Sequence, residues 1–131
     1  MTVITLCGVY SLLFALFHAG FWKMFGWSKD FANFSDIEAF SLDRRIMHIL
    51  NIMLLCCFAG VALACFLFPA DLLGTRFGLA FMSFWAIFWL VRAALQPVFL
   101  GGGKPLLSIP MTALFLVGAL LFALPVFNGL F

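Results

Sequence analysis

Five side chains with imidazole, carboxamide or guanidinium groups lie in or just past the long apolar stretches of this 131-residue sequence, where a polar group is costly to bury and is therefore often functional. They are His18, His48, Asn51, Arg92 and Gln96. Imidazole, carboxamide and guanidinium groups can bind an anion, donate hydrogen bonds or, for histidine, transfer a proton. Because no Asp or Glu lies in the same stretches, a proton or cation antiporter based on carboxylates would have no coupling group.

The spacing of these residues places them on three helical stripes, since side chains three or four positions apart share one face of a helix. Alternate spanning helices run in opposite directions, so all five residues are predicted on the same side of the membrane. If the stripes face each other, they form a cationic pocket with aromatic walls. The stripes consist of Phe14, His18 and Trp22; of Arg44, His48, Asn51 and Leu55; and of Trp85, Trp89, Arg92 and Gln96.

Such a pocket would suit an anionic or amphipathic ligand, for example a lipid headgroup, a quinone or an isoprenoid phosphate. We therefore expect a non-catalytic membrane protein that binds a lipid-like molecule and that could act as an oligomer or within a transport system. Two alternatives are an accessory subunit of a larger membrane complex and a small enzyme that acts on a lipid through His18 or His48. The predicted ligand-binding residues are His18, His48, Asn51, Arg92, Gln96, Trp22, Trp89 and Arg44.

Several of these residues also have a simpler structural interpretation. Arg92 could extend to the lipid headgroups, and Trp22 and Trp89 could belong to the aromatic belt at the membrane interface. Asn51, like Ser83, could provide an interhelical hydrogen bond. We expect no cofactor, with one alternative: His18 and His48 could ligate haem b axially, although neither helix has the small flanking residues that would admit the macrocycle.

The composition indicates a membrane protein. Hydrophobic residues make up 66% of the chain and charged residues 9%, with a mean hydropathy of +1.23, whereas soluble domains are about 45–50% apolar and about 25% charged. The 19 phenylalanines are interpreted as lipid-facing and packing residues. A net charge of +2 is too small for an electrostatic nucleic-acid surface, so no nucleic-acid partner is expected.

Four segments have the roughly 20 apolar residues that are needed to cross a hydrocarbon core. In lipid an isolated segment must satisfy its own backbone hydrogen bonds, so each is predicted to be a helix. The expected fold is an all-α integral membrane protein, a bundle of four transmembrane helices in a single domain. Prolines 69, 97 and 125 are expected to end the second, third and fourth helices. The segments are Val3–Trp22, Ile46–Phe68, Phe77–Leu95 and Leu106–Leu124.

Residues 23–45 form the one substantial polar stretch, and apolar residues recur within it at about helical spacing. We predict a short amphipathic helix that lies in the membrane interface between the first two spanning helices; the alternative is an irregular loop with aromatic anchors. Ser41 is predicted to cap the second spanning helix. The recurring apolar residues are Phe31, Phe34, Ile37 and Phe40.

The basic residues predict an orientation. Six of the seven Lys and Arg lie on the side of the loops that follow the first and third helices, and Arg76 alone lies on the other. The positive-inside rule therefore places these loops in the cytoplasm and both termini in the periplasm of a bacterial inner membrane. The six residues are Lys23, Lys29, Arg44, Arg45, Arg92 and Lys104.

Two further patterns concern helix packing. The four cysteines all lie in apolar runs, so we interpret them as small apolar residues rather than as metal ligands or disulfide partners. The pairs Gly60/Ala64 and Gly74/Gly78 have the small-xxx-small spacing that permits close helix packing, including oligomerisation. The cysteines are Cys7, Cys56, Cys57 and Cys65.

Three runs of sequence carry a family resemblance. They are FHAGFWKMFGW at residues 17–27, DRRIMHILN at residues 43–51, and FWLVR at residues 88–92 followed by Gln96. The chain thereby resembles small uncharacterised bacterial membrane proteins with four helices. The resemblance covers most of the chain and implies the four-helix fold, without an activity.

Overall fold

The computed structural model describes residues 2–24, 38–100 and 105–129, and these are helical except at Thr2, Phe68 and Thr75. Four of the five helices are long and apolar enough to cross a membrane. The predicted all-α fold class with four spanning helices is therefore confirmed. The helices are α1 (Val3–Met24), α2 (Glu38–Leu67), α3 (Pro69–Gly74), α4 (Arg76–Leu100) and α5 (Pro105–Gly129).

The surface of these helices is apolar. Leu16 in α1 is 61% exposed, and Phe99 in α4 is 78% exposed. Soluble monomers rarely expose contiguous apolar patches larger than a few hundred Å², so side chains of this kind along four spanning helices indicate that hydrocarbon, not water, surrounds them.

The start of α2 differs from the prediction. Residues 38–45 already belong to this helix, and Ser41 lies inside it rather than at its N-cap. Most of the predicted interfacial helix, residues 25–37, lies outside the described residues.

The chain divides into two compact units. One, here called the hairpin unit, comprises residues 1–8 and 64–131; in it α4 packs along α5, and α3 packs against both. Its core includes Met82, Trp85 and Phe122, all buried. The other, here called the α1–α2 unit, comprises residues 9–63, and a ring contact between Phe14 and Phe58, 5.6 Å between centroids, lies in its core.

Two of the three helix ends predicted at prolines are wrong. α2 does end before Pro69, which then begins α3 at a position where the missing N–H costs nothing. By contrast, α4 continues through Pro97 to Leu100, and α5 continues through Pro125 to Gly129. Spanning helices tolerate an internal proline when another group bonds the backbone carbonyl that the proline leaves without its donor.

Cys7 provides the hydrogen-bond donor that replaces the missing N–H of Pro125. Because proline has no N–H, the carbonyl oxygen of Leu121, four residues earlier, cannot receive its helical hydrogen bond from residue 125. The Cys7 thiol donates a hydrogen bond to this oxygen over 3.2 Å, and Cys7 is completely buried. Cys7 is therefore a hydrogen-bond donor and more than the small apolar residue that its surroundings in the sequence predict.

Thr75 joins α3 to α4. Its hydroxyl accepts a hydrogen bond from the N–H of Gly78 over 2.9 Å and donates one to the carbonyl oxygen of Asp71 over 2.7 Å. The first bond is that of an N-cap, which satisfies a free donor in the first turn of α4. The second ties the same side chain to α3, so one threonine fixes the sharp connection between the two helices.

Gly78 allows α3 to approach α4 closely. A Cβ atom at this position would collide with the backbone of α3, at the carbonyl oxygens of Asp71 and Leu72 and at Leu72 Cα. Gly74 ends α3 whereas Gly78 belongs to α4, so the pair Gly74/Gly78 is not a stripe on a single helix. Gly60, in α2, has nothing within 4 Å of such a Cβ atom.

We predict that Gly78→Ala lowers the free energy of unfolding by about 1–3 kcal/mol, the usual cost of overpacking. Backbone atoms of α3 cannot rotate away as the end of a side chain could. Gly60→Ala is the matched control and should cost nothing, since its methyl group meets open space. The measurement is the midpoint of SDS-induced unfolding, followed by circular dichroism. Equal midpoints for the two variants would contradict the close approach of α3.

We also predict that Cys7→Ala and Pro125→Ala are coupled. Cys7→Ala alone removes the donor to Leu121 and should cost roughly 0.5–1.5 kcal/mol. In a Pro125→Ala background the cost should fall, because an alanine at 125 supplies the N–H that Leu121 otherwise lacks. A double-mutant cycle on the same unfolding assay measures the difference; strictly additive effects would show that the thiol does not serve this carbonyl.

Candidate functional site

Three of the predicted ligand-binding residues lie at the contact between α4 and α5 in the hairpin unit. Trp89 is 1% exposed and Gln96 is 2% exposed, while Arg92 is half-buried. The 3-4 spacing of these residues puts them on one stripe of α4, and the burial of Trp89 and Gln96 shows that this stripe faces the protein rather than lipid. A position in the interfacial aromatic belt does not fit a tryptophan that is buried to this extent.

The ring of Phe115, in α5, contacts two side chains of this stripe. The Arg92 guanidinium carbon lies 4.5 Å from the centroid of the Phe115 ring, within the range of a cation–π interaction. The indole of Trp89 stacks on the same phenyl ring, with centroids 5.8 Å apart and an interplanar angle of 19°. The charged group of Arg92 is thus held at the helix pair instead of reaching only toward headgroups.

Gln96 and Ser108 extend the stripe toward the connection between the two helices. Gln96 lies seven residues beyond Trp89 in α4, and Ser108 lies seven residues before Phe115 in the antiparallel α5, so the two stand at one level. Both are buried, at 2% and 3% exposure. The amide oxygen Oε1 of Gln96 has no hydrogen-bond partner among the described residues. A buried acceptor without a donor costs about 1–3 kcal/mol, so this oxygen is a site where a donor would be bound favourably.

The charge of Arg92 is not neutralised within the described part of the chain. No carboxylate there forms an ion pair with it, and no Asp or Glu occurs anywhere in α4 or α5. A cation in a medium of low dielectric constant attracts an anion far more strongly than it would in water. The guanidinium group also offers the paired N–H donors that suit a phosphate or carboxylate.

An apolar groove of about 370 Å³ runs along the same two helices. Alanines and larger aliphatic side chains line it. Two of its lining residues are close in sequence to the Arg92–Phe115 contact, since Leu90 is two residues from Arg92 and Leu116 follows Phe115. The lining residues are Ala86, Ile87, Leu90, Leu116, Ala119, Leu120 and Ala123.

The α1–α2 unit contains the other candidates, and here the polar groups bond to backbone. The amide nitrogen of Asn51 donates a hydrogen bond to the carbonyl oxygen of His18 over 2.8 Å, which links α2 to α1. His18 Nδ1 donates in turn to the carbonyl oxygen of Phe14 over 2.7 Å. The interhelical bond proposed for Asn51 is therefore present, whereas the one proposed for Ser83 is wrong, because its hydroxyl bonds Leu79 in its own helix.

Aromatic rings surround the imidazole of His18. Its centroid lies 5.2 Å from that of Phe58, and it stacks on Phe21 at 6.1 Å with an interplanar angle of 10°. No group of three or more His, Cys, Asp or Glu side chains that could hold a metal ion occurs in the residues that the structure describes. Haem ligation by His18 and His48 stays a prediction.

The remaining candidates lie in α1 and α2. His48 is half-buried and Arg44 is exposed, both in α2. Trp22 belongs to α1, but its side chain lies outside the described residues. The structure thus brings His18 to Asn51 in one unit, and Trp89 and Arg92 to one ring in the other. The pocket expected to combine the two groups stays a prediction.

Sequence reasoning missed two residues of the hairpin site, Phe115 and Ser108. Both lie on α5, in a segment so apolar that no single residue is conspicuous. The signal that could have found them is the antiparallel pairing of α4 with α5 across a four-residue connection, which sets Phe115 opposite the stripe of Trp89 and Arg92.

No protein-family model, curated protein or solved structure matches this chain. The function is therefore argued from the geometry of the hairpin site.

We predict that Asn51→Leu destabilises the protein without impairing ligand binding. Loss of the bond to His18 should cost about 0.6–1.7 kcal/mol, the range for interhelical hydrogen bonds in membranes. Ser83→Ala, which removes a hydroxyl bonded within its own helix, is the control and should cost less. The midpoint of SDS-induced unfolding measures both. An unchanged midpoint for Asn51→Leu would show that the bond contributes nothing to stability.

Proposed function

We propose that this protein binds an anionic, lipid-like amphipathic molecule at the α4–α5 pair and does not transform it chemically. The observation that carries the proposal is the half-buried guanidinium of Arg92, held 4.5 Å from the Phe115 centroid in a helix pair that contains no carboxylate. A positive charge placed in a membrane-spanning helix is costly, and such residues commonly mark a ligand site.

The chemistry of the site favours a phosphate-bearing ligand over a neutral one such as a quinone. Two unit charges 4 Å apart attract each other by about 4 kcal/mol at an effective dielectric constant of 20. Arginine adds geometric fit, since its fork of N–H donors matches two oxygens of one phosphate. Phe115 and Trp89 limit the positions that the guanidinium can take, which reduces the entropy lost on binding.

The apolar groove supports the amphipathic part of the proposal. It lies within the spanning segments Arg76–Phe99 and Ser108–Asn128, where hydrocarbon chains are the molecules that can reach it. An acyl or isoprenoid chain that enters near Leu90 and Leu116 would run along the helix pair, away from the connection and from Arg92. The same helix pair thus offers a cation at Arg92 and an apolar groove for a chain.

The setting that we propose is the cytoplasmic leaflet of a bacterial inner membrane, with both termini in the periplasm. Its support is the distribution of Lys and Arg along the sequence. Bound membrane lipid is the expected partner, and assembly into an oligomer or a larger transport system is compatible with this role. The accessory-subunit and lipid-enzyme hypotheses stay predictions.

We predict that Arg92→Gln lowers the occupancy of an anionic lipid by about 10–100-fold, the value of one charge-assisted interaction. The measurement is native mass spectrometry of the purified protein titrated with dioleoylphosphatidylglycerol. Arg76→Gln is the matched control: it removes an equal charge from the same helix at an exposed position and should change occupancy less than about twofold. Equal occupancy in wild type and Arg92→Gln would overturn the proposed function.

A further inference from the structure

The amide oxygen of Gln96 is an acceptor that the described protein does not satisfy. Gln96 is 98% buried, since its exposed fraction is 2%, and Oε1 lacks a hydrogen-bond partner among the described residues. The nearest polar side chain by register, Ser108, forms no described hydrogen bond with it. Glutamine at this position is therefore more costly than an apolar residue of the same size unless a donor arrives from outside the described protein.

Gln96 is placed so that the ligand bound at Arg92 can supply the missing hydrogen-bond donor. Gln96 lies four residues after Arg92, one turn further along the same face of α4. It also lies four residues before Leu100, the last residue of the helix. Glutamine has a long, flexible side chain, so its amide can turn toward a headgroup that enters at this end while the anion contacts Arg92.

The charge of Arg92 restricts the kind of donor. A primary ammonium group, as in phosphatidylethanolamine, would be repelled by a guanidinium one turn away. A hydroxyl group donates a hydrogen bond without carrying charge. A headgroup that combines one phosphate with a neighbouring hydroxyl satisfies both residues together.

We propose that Gln96 is a specificity residue that accepts a hydrogen bond from a headgroup hydroxyl, so that the site selects an anionic lipid whose phosphate carries a hydroxylated substituent. This inference rests on the proposed function and deepens it. Arg92 supplies affinity for the anion, and Gln96 distinguishes among anions of equal charge.

The test compares two anionic lipids, of which only one carries headgroup hydroxyls. Dioleoylphosphatidylglycerol and dioleoylphosphatidylmethanol have the same acyl chains and the same single negative charge, but only the first has headgroup hydroxyls. Wild-type protein is reconstituted in nanodiscs that contain both at equal mole fraction in phosphatidylcholine. After release into detergent, native mass spectrometry counts each bound lipid by its mass.

We expect the wild type to prefer phosphatidylglycerol by about 3–10-fold, the value of one hydrogen bond. Gln96→Leu should lower that ratio to about one while anionic lipid is still retained over phosphatidylcholine. Ser83→Ala, on the same helix, should keep the wild-type ratio. Phosphatidylethanolamine added as a third lipid should not displace either anion.

Three results would overturn the inference. The first is a ratio of bound phosphatidylglycerol to phosphatidylmethanol near one in the wild type, a result that does not depend on any variant folding. The others are an unchanged ratio in Gln96→Leu and a preference for phosphatidylethanolamine. A failure of the proposed function itself would give a different experimental result. In that case Arg92→Gln retains both anionic lipids as well as the wild type does.

Discussion

A backbone N–H or C=O group in hydrocarbon has no water to bond, so each one must find its partner within the protein. This constraint explains why the described chain is almost wholly helical and also why three side chains lie where they do. Cys7 bonds the carbonyl that Pro125 leaves without its donor, Thr75 satisfies the first turn of α4, and Asn51 uses a backbone oxygen of α1 to join two helices. Each of these side chains bonds a backbone group of a helix to which it does not itself belong.

The same constraint separates structural polar groups from candidate binding groups. His18 and Asn51 looked alike in sequence to Arg92 and Gln96, as polar residues near helix ends. The first two bond backbone oxygens, so their hydrogen-bonding groups are engaged in the fold. Arg92 instead contacts an aromatic ring, and the amide oxygen of Gln96 lacks a described partner. A buried polar group without a hydrogen-bond partner indicates a ligand more strongly than one bonded to backbone. Its desolvation free energy must be offset by another interaction.

The sequence predicts the spanning helices well because the thickness of the hydrocarbon core fixes their length and composition. It predicts their ends poorly. Whether a helix stops at Pro125 depends on a thiol 114 residues away, and no local pattern contains that information. Pro69 did carry a local signal for α3 as a first-turn proline, and Thr75 carried one for the start of α4 as an N-cap, but α3 is only six residues long. Likewise the stripe of Trp89, Arg92 and Gln96 followed from periodicity, whereas Phe115 became visible only once α5 was paired with α4.

The bond between Cys7 and Leu121 has a consequence for biosynthesis. Translation proceeds from the N-terminus, so Cys7 enters the membrane long before Leu121 is made. Leu121 lies 114 positions after Cys7, a separation that takes about 6–23 seconds to synthesise at about 5–20 residues per second. During that time Cys7 has no Leu121 carbonyl to bond, and α5 later brings this carbonyl, whose donor lies on a helix made earlier. The Leu121 carbonyl therefore gains this donor only after both α1 and α5 have been made.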